Sequence, residues 1–576
     1  VSNLKTVTTP DGFQLDFDVA CREQEIDFTW HGTVTGQASG TLSFDFQGKA
    51  QTNFERNRIG FCVLHPLAEC AGKSCRAEAP DGTVTNGTFP ELIAPHQPLL
   101  NLRAVSHQLP DGTEVEVRFA GDIFEMEDHR NWTDGNYKTY CTPLALPFPV
   151  KISRGQKVQQ SVTVNLKPAA PRAKPAQAIR SHGPGVVELT EGSATGKLPA
   201  VGFGIATRAQ PLLPRHASLL SVVKPAHLRI DLVFGALAEW RGQLARAGRE
   251  SAAVGAKLEI ALMLGADAPA ELRDVAKEAA NLRPAITRWL IFSTNHASTP
   301  PDIIALARRT LPGTIVSGTN QYFTELNRER PALTSLDGVS YSLNPQVHAF
   351  DNASLVENLA PQAVQVKSAR QFCGDKAIIV TPVTLRPRFN PQQRGPEPPP
   401  IPGRLETRHD HRQPTLFGAA WTLGSLKYLS EAGVDSVTYY ETVGWGGLMA
   451  ESSPQPALPP IKPDMVFPLY HVFADYAEFA GGSWQALETD SPLEAIGLSL
   501  IQGPRRRTIV ANLTAKPRII RTPARPQMTI RTLDDRTFAL ATADPAQFRQ
   551  SYRTVTTRDK SIDLPLGPYA IVTVDG

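Results

Sequence analysis

The sequence predicts a multidomain α/β plus β protein. It would hold an N-terminal antiparallel β-sandwich, a central (β/α)8 barrel of the TIM type and a small C-terminal β-sandwich. Three observations predict this. Residues 1–166 carry short alternating runs separated by tight-turn signals. Residues 199–482 alternate apolar strand-like runs with helical segments. Residues 483–576 return to β-like runs and end in RTIVANL and GPYAIVTVDG. At 576 residues the chain is also too long for one ordinary core.

In the first region the runs are LDFDVAC, TLSFDFQG, TEVEVRFAG and SVTVNL, with turns at Pro10-Asp11-Gly12, Pro80-Asp81-Gly82 and Pro110-Asp111-Gly112. Proline pre-sets φ and glycine accepts positive φ, so each triplet suits a reversal. Residues 167–198 are rich in Pro, Ala and basic side chains and predict a linker. The barrel region supplies eight strand-like runs: VGFGIA, HLRIDLVF, KLEIALML, TRWLIFST, TIVSGT, GVSYSL, AIIVTPVT and SVTYYE. Segments such as LAEWRGQLARAG and PDIIALARRTL supply crossover helices between them.

Composition narrows the function. The chain is 41% hydrophobic and 20% charged with net charge +3, which is ordinary for a globular protein. It gives no electrostatic case for nucleic acid or a membrane surface. No apolar run approaches the ~20 residues of a membrane span. The first residues, VSNLKTVTTPDG, lack the layout of a signal peptide. Six cysteines are few for a disulfide framework, so a cytoplasmic setting is expected. Cys62, Cys70 and Cys75 cluster near His65 and His96, but no second close pair follows. Buried thiols, with no metal and no cofactor, are the expectation.

Catalytic residues of such barrels lie at strand C-termini and in the loops that follow. The second run places Arg229 and Asp231 on one face, as a structural ion pair or a substrate-orienting one. The fourth run ends at Asn295 and His296, the fifth leads to Tyr322 and Glu325, and the sixth leads to His348. The eighth ends at Glu441, followed by Trp445 and two glycines, where a ligand finds room. Proline-rich loops after the last two runs carry Arg386, Arg388 and Arg412, candidates for an anionic or polyhydroxylated ligand.

The stretch GDIFEMEDHRNWTDGNYKTY, residues 121–140, gathers carboxylates around Trp132 and Arg130. As a strand it puts Glu125 and Glu127 on one face and Phe124 and Met126 on the other. It reads as a compensated structural knot, as a ligand-binding edge, or as the source of an acid or base. The first two fit best: an edge that supports the pocket, with Glu125, Glu127 and Trp132 within reach of substrate.

Longer motifs carry a resemblance. GFCVLHP (60–66), FEMEDHRNWTD (124–134), KTYCTPLALPFPV (138–150), YFTELNR (322–328), NPQVHAFDNASLVENL (344–359), VTPVTLRPRFNP (380–391), FGAAWTLGSLKYL (417–429) and SVTYYETVGW (436–445) together resemble the D-apionate lactonase family. The resemblance implies hydrolysis of D-apionolactone to D-apionate in bacterial breakdown of the branched pentose D-apiose. The partner would be a small sugar lactone.

Site roles follow from position and chemistry. Glu441 is the candidate base, and Glu325 or His348 the candidate acid. Asn295, His296, Arg229 and Asp231 are candidates for carbonyl and hydroxyl contacts, and Trp445 and Tyr322 for stacking on the sugar. Two alternatives stand beside this. A glycoside hydrolase would also use two barrel carboxylates, and a non-catalytic carbohydrate-binding protein would keep the aromatics alone.

Overall fold

The computed structural model describes residues 1–168, 186–207, 211–235, 239–391, 401, 403–454 and 456–576. They divide into two compact units. One holds residues 1–131 and those from 135 to the end of the N-terminal region. The other holds 132–134 and the rest of the chain.

The N-terminal unit contains a nine-stranded sheet, a four-stranded sheet and a two-stranded ribbon, with antiparallel pairing throughout. Val105, Val117, Phe119 and Val162 of the large sheet share one buried cluster with Phe124, Met126 and Tyr137 of the smaller one. The two sheets therefore meet face to face, as a sandwich requires. Cys70 and Cys75 lie in this core, and burial pushes the Cys70 thiol up to about 12. Cys62 is exposed.

In the second unit the eight expected strands close into a parallel barrel. They run Ala200–Gly204, His227–Val233, Lys257–Leu264, Ile286–Ser293, Ile315–Tyr322, Gly338–Leu343, Ala377–Val383 and Ser436–Glu441. Both faces of such strands are buried, which is why they read as near-continuous apolar runs. Ala261, Met263, Leu290, Phe292, Val316 and Ile379 form one buried cluster. Among the described residues no helix is long and apolar enough to cross a membrane.

The span 167–198 differs from its expected linker role. Val186–Lys197 is a strand that pairs antiparallel with Ser483–Thr489 and parallel with Arg518–Pro523. The remainder of the expected linker, 169–185, lies outside the described residues. The strand completes a nine-stranded C-terminal sheet. Its Val187 and Leu189 share a core with Ile520 and Leu564 toward one edge and with Ile530 and Val572 toward the other. A flat sheet could not bring those residues together, so this sheet curls on itself into a sandwich.

Candidate active site

The eighth barrel strand does not end regularly. Tyr440 has φ of +44°, a region that a bulky residue rarely occupies. The register with the first strand jumps there, from Phe203 opposite Tyr439 to Gly204 opposite Glu441. One extra residue is thus inserted just before Glu441, and such bulges re-aim the side chain that follows. The Glu441 N–H donates to the Gly446 carbonyl at 2.8 Å, which closes the loop that follows.

The Glu441 carboxylate opens on a cavity of about 870 Å³ at the mouth of the barrel. Thr207, just past the first strand, donates to Oε2 from its backbone N–H at 3.2 Å and its hydroxyl at 3.5 Å. Among the described residues no cation lies within 4 Å of this carboxylate. Burial pushes its pKa above the ordinary glutamate value, and Thr207 and Arg408 only partly offset that. A carboxylate held above its ordinary range is a candidate for proton transfer.

The second strand supplies the cavity's cationic side. Asp231 lies between Arg229 Nε at 2.7 Å and Arg388 Nη1 at 2.9 Å. Burial raises the pKa of Asp231, but the two guanidinium groups outweigh it and hold the carboxyl below its usual range. Asn320, on the fifth strand, accepts from both arginines, at 3.0 and 2.8 Å. Arg229 also donates from Nη1 to the Thr381 carbonyl and hydroxyl at 2.6 and 2.9 Å. Four of its five N–H groups are thereby used, and one on Nη2 remains. Arg388 Nε is buried without a hydrogen-bond partner among the described residues.

His409 completes this wall. Its neighbour Asp410 is fully buried and takes paired bonds from Arg412 at 2.8 Å and one from Gln346 at 2.7 Å. Gln413 then donates to the Gly447 carbonyl at 2.8 Å. The 409–413 turn is therefore pinned on both sides, and His409 is carried to the cavity edge.

Of the residues expected from sequence, the cavity brings together Glu441, Arg229 and Asp231, along with Arg388. Glu325 and His348 are not among its described lining residues. Glu325 instead accepts the Tyr322 N–H at 3.1 Å at the start of its own helix. His348 Nδ1 pairs with Asp134 at 2.7 Å, and the Trp132 ring lies edge-on to it at 5.6 Å. Tyr322 is buried behind the wall, stacked on the cavity residue Phe389 and donating to its carbonyl at 3.0 Å. Trp445 is likewise buried, with its indole N–H on the Pro456 carbonyl at 3.0 Å. Asn295 and His296 are exposed and turn on Ser293, whose hydroxyl lies 3.0 Å from His296 Nδ1.

Within the N-terminal unit, Phe124–Asp128 is a strand buried on both faces, where sequence alone assigned one apolar face. Every acid in it has a partner. Glu125 accepts from the Tyr140 hydroxyl and the Leu144 N–H, Glu127 pairs with Lys138, and Asp128 holds Arg130 at 2.7 Å. Thr207, His409 and Arg408 were not foreseen as site residues. Thr207 lies three residues past the first strand, the one signal that could have marked it.

Comparison with known proteins agrees with the motif resemblance. The chain matches the family described as D-apionate lactonase, N-terminal domain, over residues 1–169. It matches the family described as D-apionate lactonase, TIM barrel domain, over residues 201–481. A protein of Brucella anthropi named D-apionate lactonase is 30% identical over 538 residues, covering 90% of this chain and 86% of its own. Among solved structures, a family 51 α-L-arabinofuranosidase from Bifidobacterium longum aligns at a TM-score of 0.45 and 13% identity, over 69% of this chain and 99% of its own.

Proposed function

The chain belongs to the D-apionate lactonase family, and from that premise we propose that its barrel cavity hydrolyses a small sugar lactone, D-apionolactone to D-apionate, in catabolism of a branched pentose. The observation that carries the reading is Glu441: a half-buried carboxylate with a raised pKa, sharing one cavity with arginines that, among the described residues, retain unused N–H donors.

Glu441 takes a proton from water as the water oxygen bonds to the lactone carbonyl carbon. The carbonyl electron pair moves onto oxygen, and the negative charge passes from Glu441 to the new oxyanion. Arg229 Nη2 and Arg388 Nε are the donors that meet it. Collapse re-forms the carbonyl and breaks the ring C–O bond. The departing ring oxygen takes the proton from Glu441, and the free hydroxy acid then loses its own proton to solvent. Glu441 thus serves as base and then acid, with His409 beside it as a second proton-carrying group.

A glycosidase would need a second carboxyl able to protonate a leaving group. Asp231 does not suit that task, since two arginines hold it ionised. A simple sugar binder has no use for a half-buried carboxylate with a raised pKa. Acid release from a panel of aldonolactones beside aryl glycosides tests the reading. Opening of D-apionolactone well above its spontaneous rate, with glycosides untouched, is expected. Glycoside cleavage without lactone opening would overturn it.

A further inference from the structure

One level deeper than Asp231, the barrel encloses a second charged row. The second, third and fourth strands place Arg229, Glu259 and Arg288 in register. Glu259 is 0% exposed. Its Oε1 accepts from Thr381 Oγ1 at 2.5 Å and Thr438 Oγ1 at 2.9 Å, and its Oε2 lies 2.7 Å from Arg288 Nε.

The hydrogens in this row run one way. Arginine only donates, so Thr381 Oγ1 accepts from Arg229, and its own hydrogen faces Glu259 Oε1 at 2.5 Å and Thr438 Oγ1 at 2.8 Å, the shorter contact being to the carboxylate. Thr438 does the same between His227 Nε2, at 2.8 Å, and Glu259. Burial holds the His227 pKa down to about 4, so its ring is neutral, and Arg288 Nη2 donates to Nδ1 at 3.4 Å, which leaves the hydrogen on Nε2. Both threonine hydroxyls therefore donate to one carboxylate, and Arg288 Nε lies beside its other oxygen as an ion pair without a hydrogen bond. A glutamine there would aim its NH₂ at donors on one side or the other.

We propose that Glu259 is a positioning residue for lactone opening: through the Thr381 hydroxyl it fixes Arg229 in the orientation that leaves an Nη2 hydrogen for the substrate. The inference rests on the reading that Arg229 meets the lactone. It also assigns a charge role. Arg229, Arg288 and Arg388 are balanced in part by Glu259 and Asp231, and losing Glu259 makes the surroundings of Glu441 more positive.

The test compares T381V, T381S and E259Q with the wild type in lactone hydrolysis across pH, with folding followed by circular dichroism and melting. T381V keeps the shape of the side chain but removes the link. It is expected to stay folded and lose on the order of 10-fold in kcat, since a wholly removed oxyanion donor costs ~10²–10³. T381S restores the hydroxyl and is expected within about twofold of wild type. E259Q is expected to shift the acid limb of kcat/KM to lower pH, which a loss of folded enzyme alone would not do. A folded T381V with wild-type kcat overturns the proposal. If T381V does not fold, an unmoved acid limb in E259Q overturns it instead. A wild-type enzyme inert toward every lactone overturns the underlying reading, and this inference with it.

Discussion

Two regions of the molecule draw carboxylates out of solvent, one fully and one in part, and they do so differently. In Phe124–Asp128 each acid meets a cation or a donor within the N-terminal unit: Lys138 at Glu127, Arg130 at Asp128, Tyr140 at Glu125. Arg130 also donates to the carbonyls of Pro90 and Glu91 at 2.8 Å, so that pair is locked to the backbone. Glu441 is half-buried and takes hydrogen bonds from hydroxyl and amide donors only, among the described residues. A crowd of acids in sequence thus marked a structural knot, and a single acid closing a strand is the group proposed here as reactive. Pairing, rather than the number of acids, separates the two.

The strongest way to break this comparison is to neutralise one acid in each region. E441Q is expected to lower kcat by roughly 10²–10⁴ while the protein stays folded, as loss of general acid–base chemistry does. D128N is expected to do the reverse. It strands the Arg130 charge in a buried site, and breaking one partner of such a pair costs about 3–5 kcal/mol. The melting transition of the N-terminal unit should fall, with kcat per folded molecule within about twofold. Equal rate losses in both variants would remove the distinction.

The pH response sharpens it. Burial raises the Glu441 pKa above its ordinary 4.5. The base works deprotonated, so kcat/KM should fall as pH drops through that raised value, at a higher pH than an exposed glutamate would give. Stability follows the same group with opposite sign. Above 4.5 the folded state holds a proton that the unfolded chain has released, so wild-type stability declines as pH rises through the folded pKa. E441Q lacks that decline. Its melting temperature relative to wild type should therefore rise between pH 4.5 and neutrality.

What sequence could show depended on how local the cause was. The barrel strands were legible because burial on both faces leaves continuous apolar runs, and Glu441 because it ends an aromatic run before two glycines. The Val186–Lys197 strand was not, since its polar run VVELTEGSATGK pairs with residues some 300 positions later. Glu259 looked like one acid inside KLEIALML. Its meaning comes from Thr381, Thr438 and Arg288 on three other strands. Glu325, in a short helix, and His348, in a loop, follow barrel strands at the expected end, but other partners claim their side chains, a choice that spacing does not reveal.

The smallest effect tests the wall around Glu441 and needs two glycines of one loop. A Cβ on Gly446 would lie 3.0 Å from the His409 ring and 3.7 Å from the Glu441 carboxyl carbon, and Gly446 does not adopt a positive φ. Alanine there fits the backbone but displaces His409 by a few tenths of an ångström. G446A is therefore expected to lower kcat/KM a few-fold, or about 1 kcal/mol in transition-state stabilisation, with little change in melting. Gly444 has φ of +100°, and among the described residues a Cβ there would meet only Glu451, at 3.7 Å. G444A strains the backbone away from the reacting groups, so it should lower stability by about 1 kcal/mol and change kcat/KM less. If G444A slowed the reaction more than G446A, loop conformation would matter more than the His409 contact, and the placement of His409 at the reacting atoms would fall.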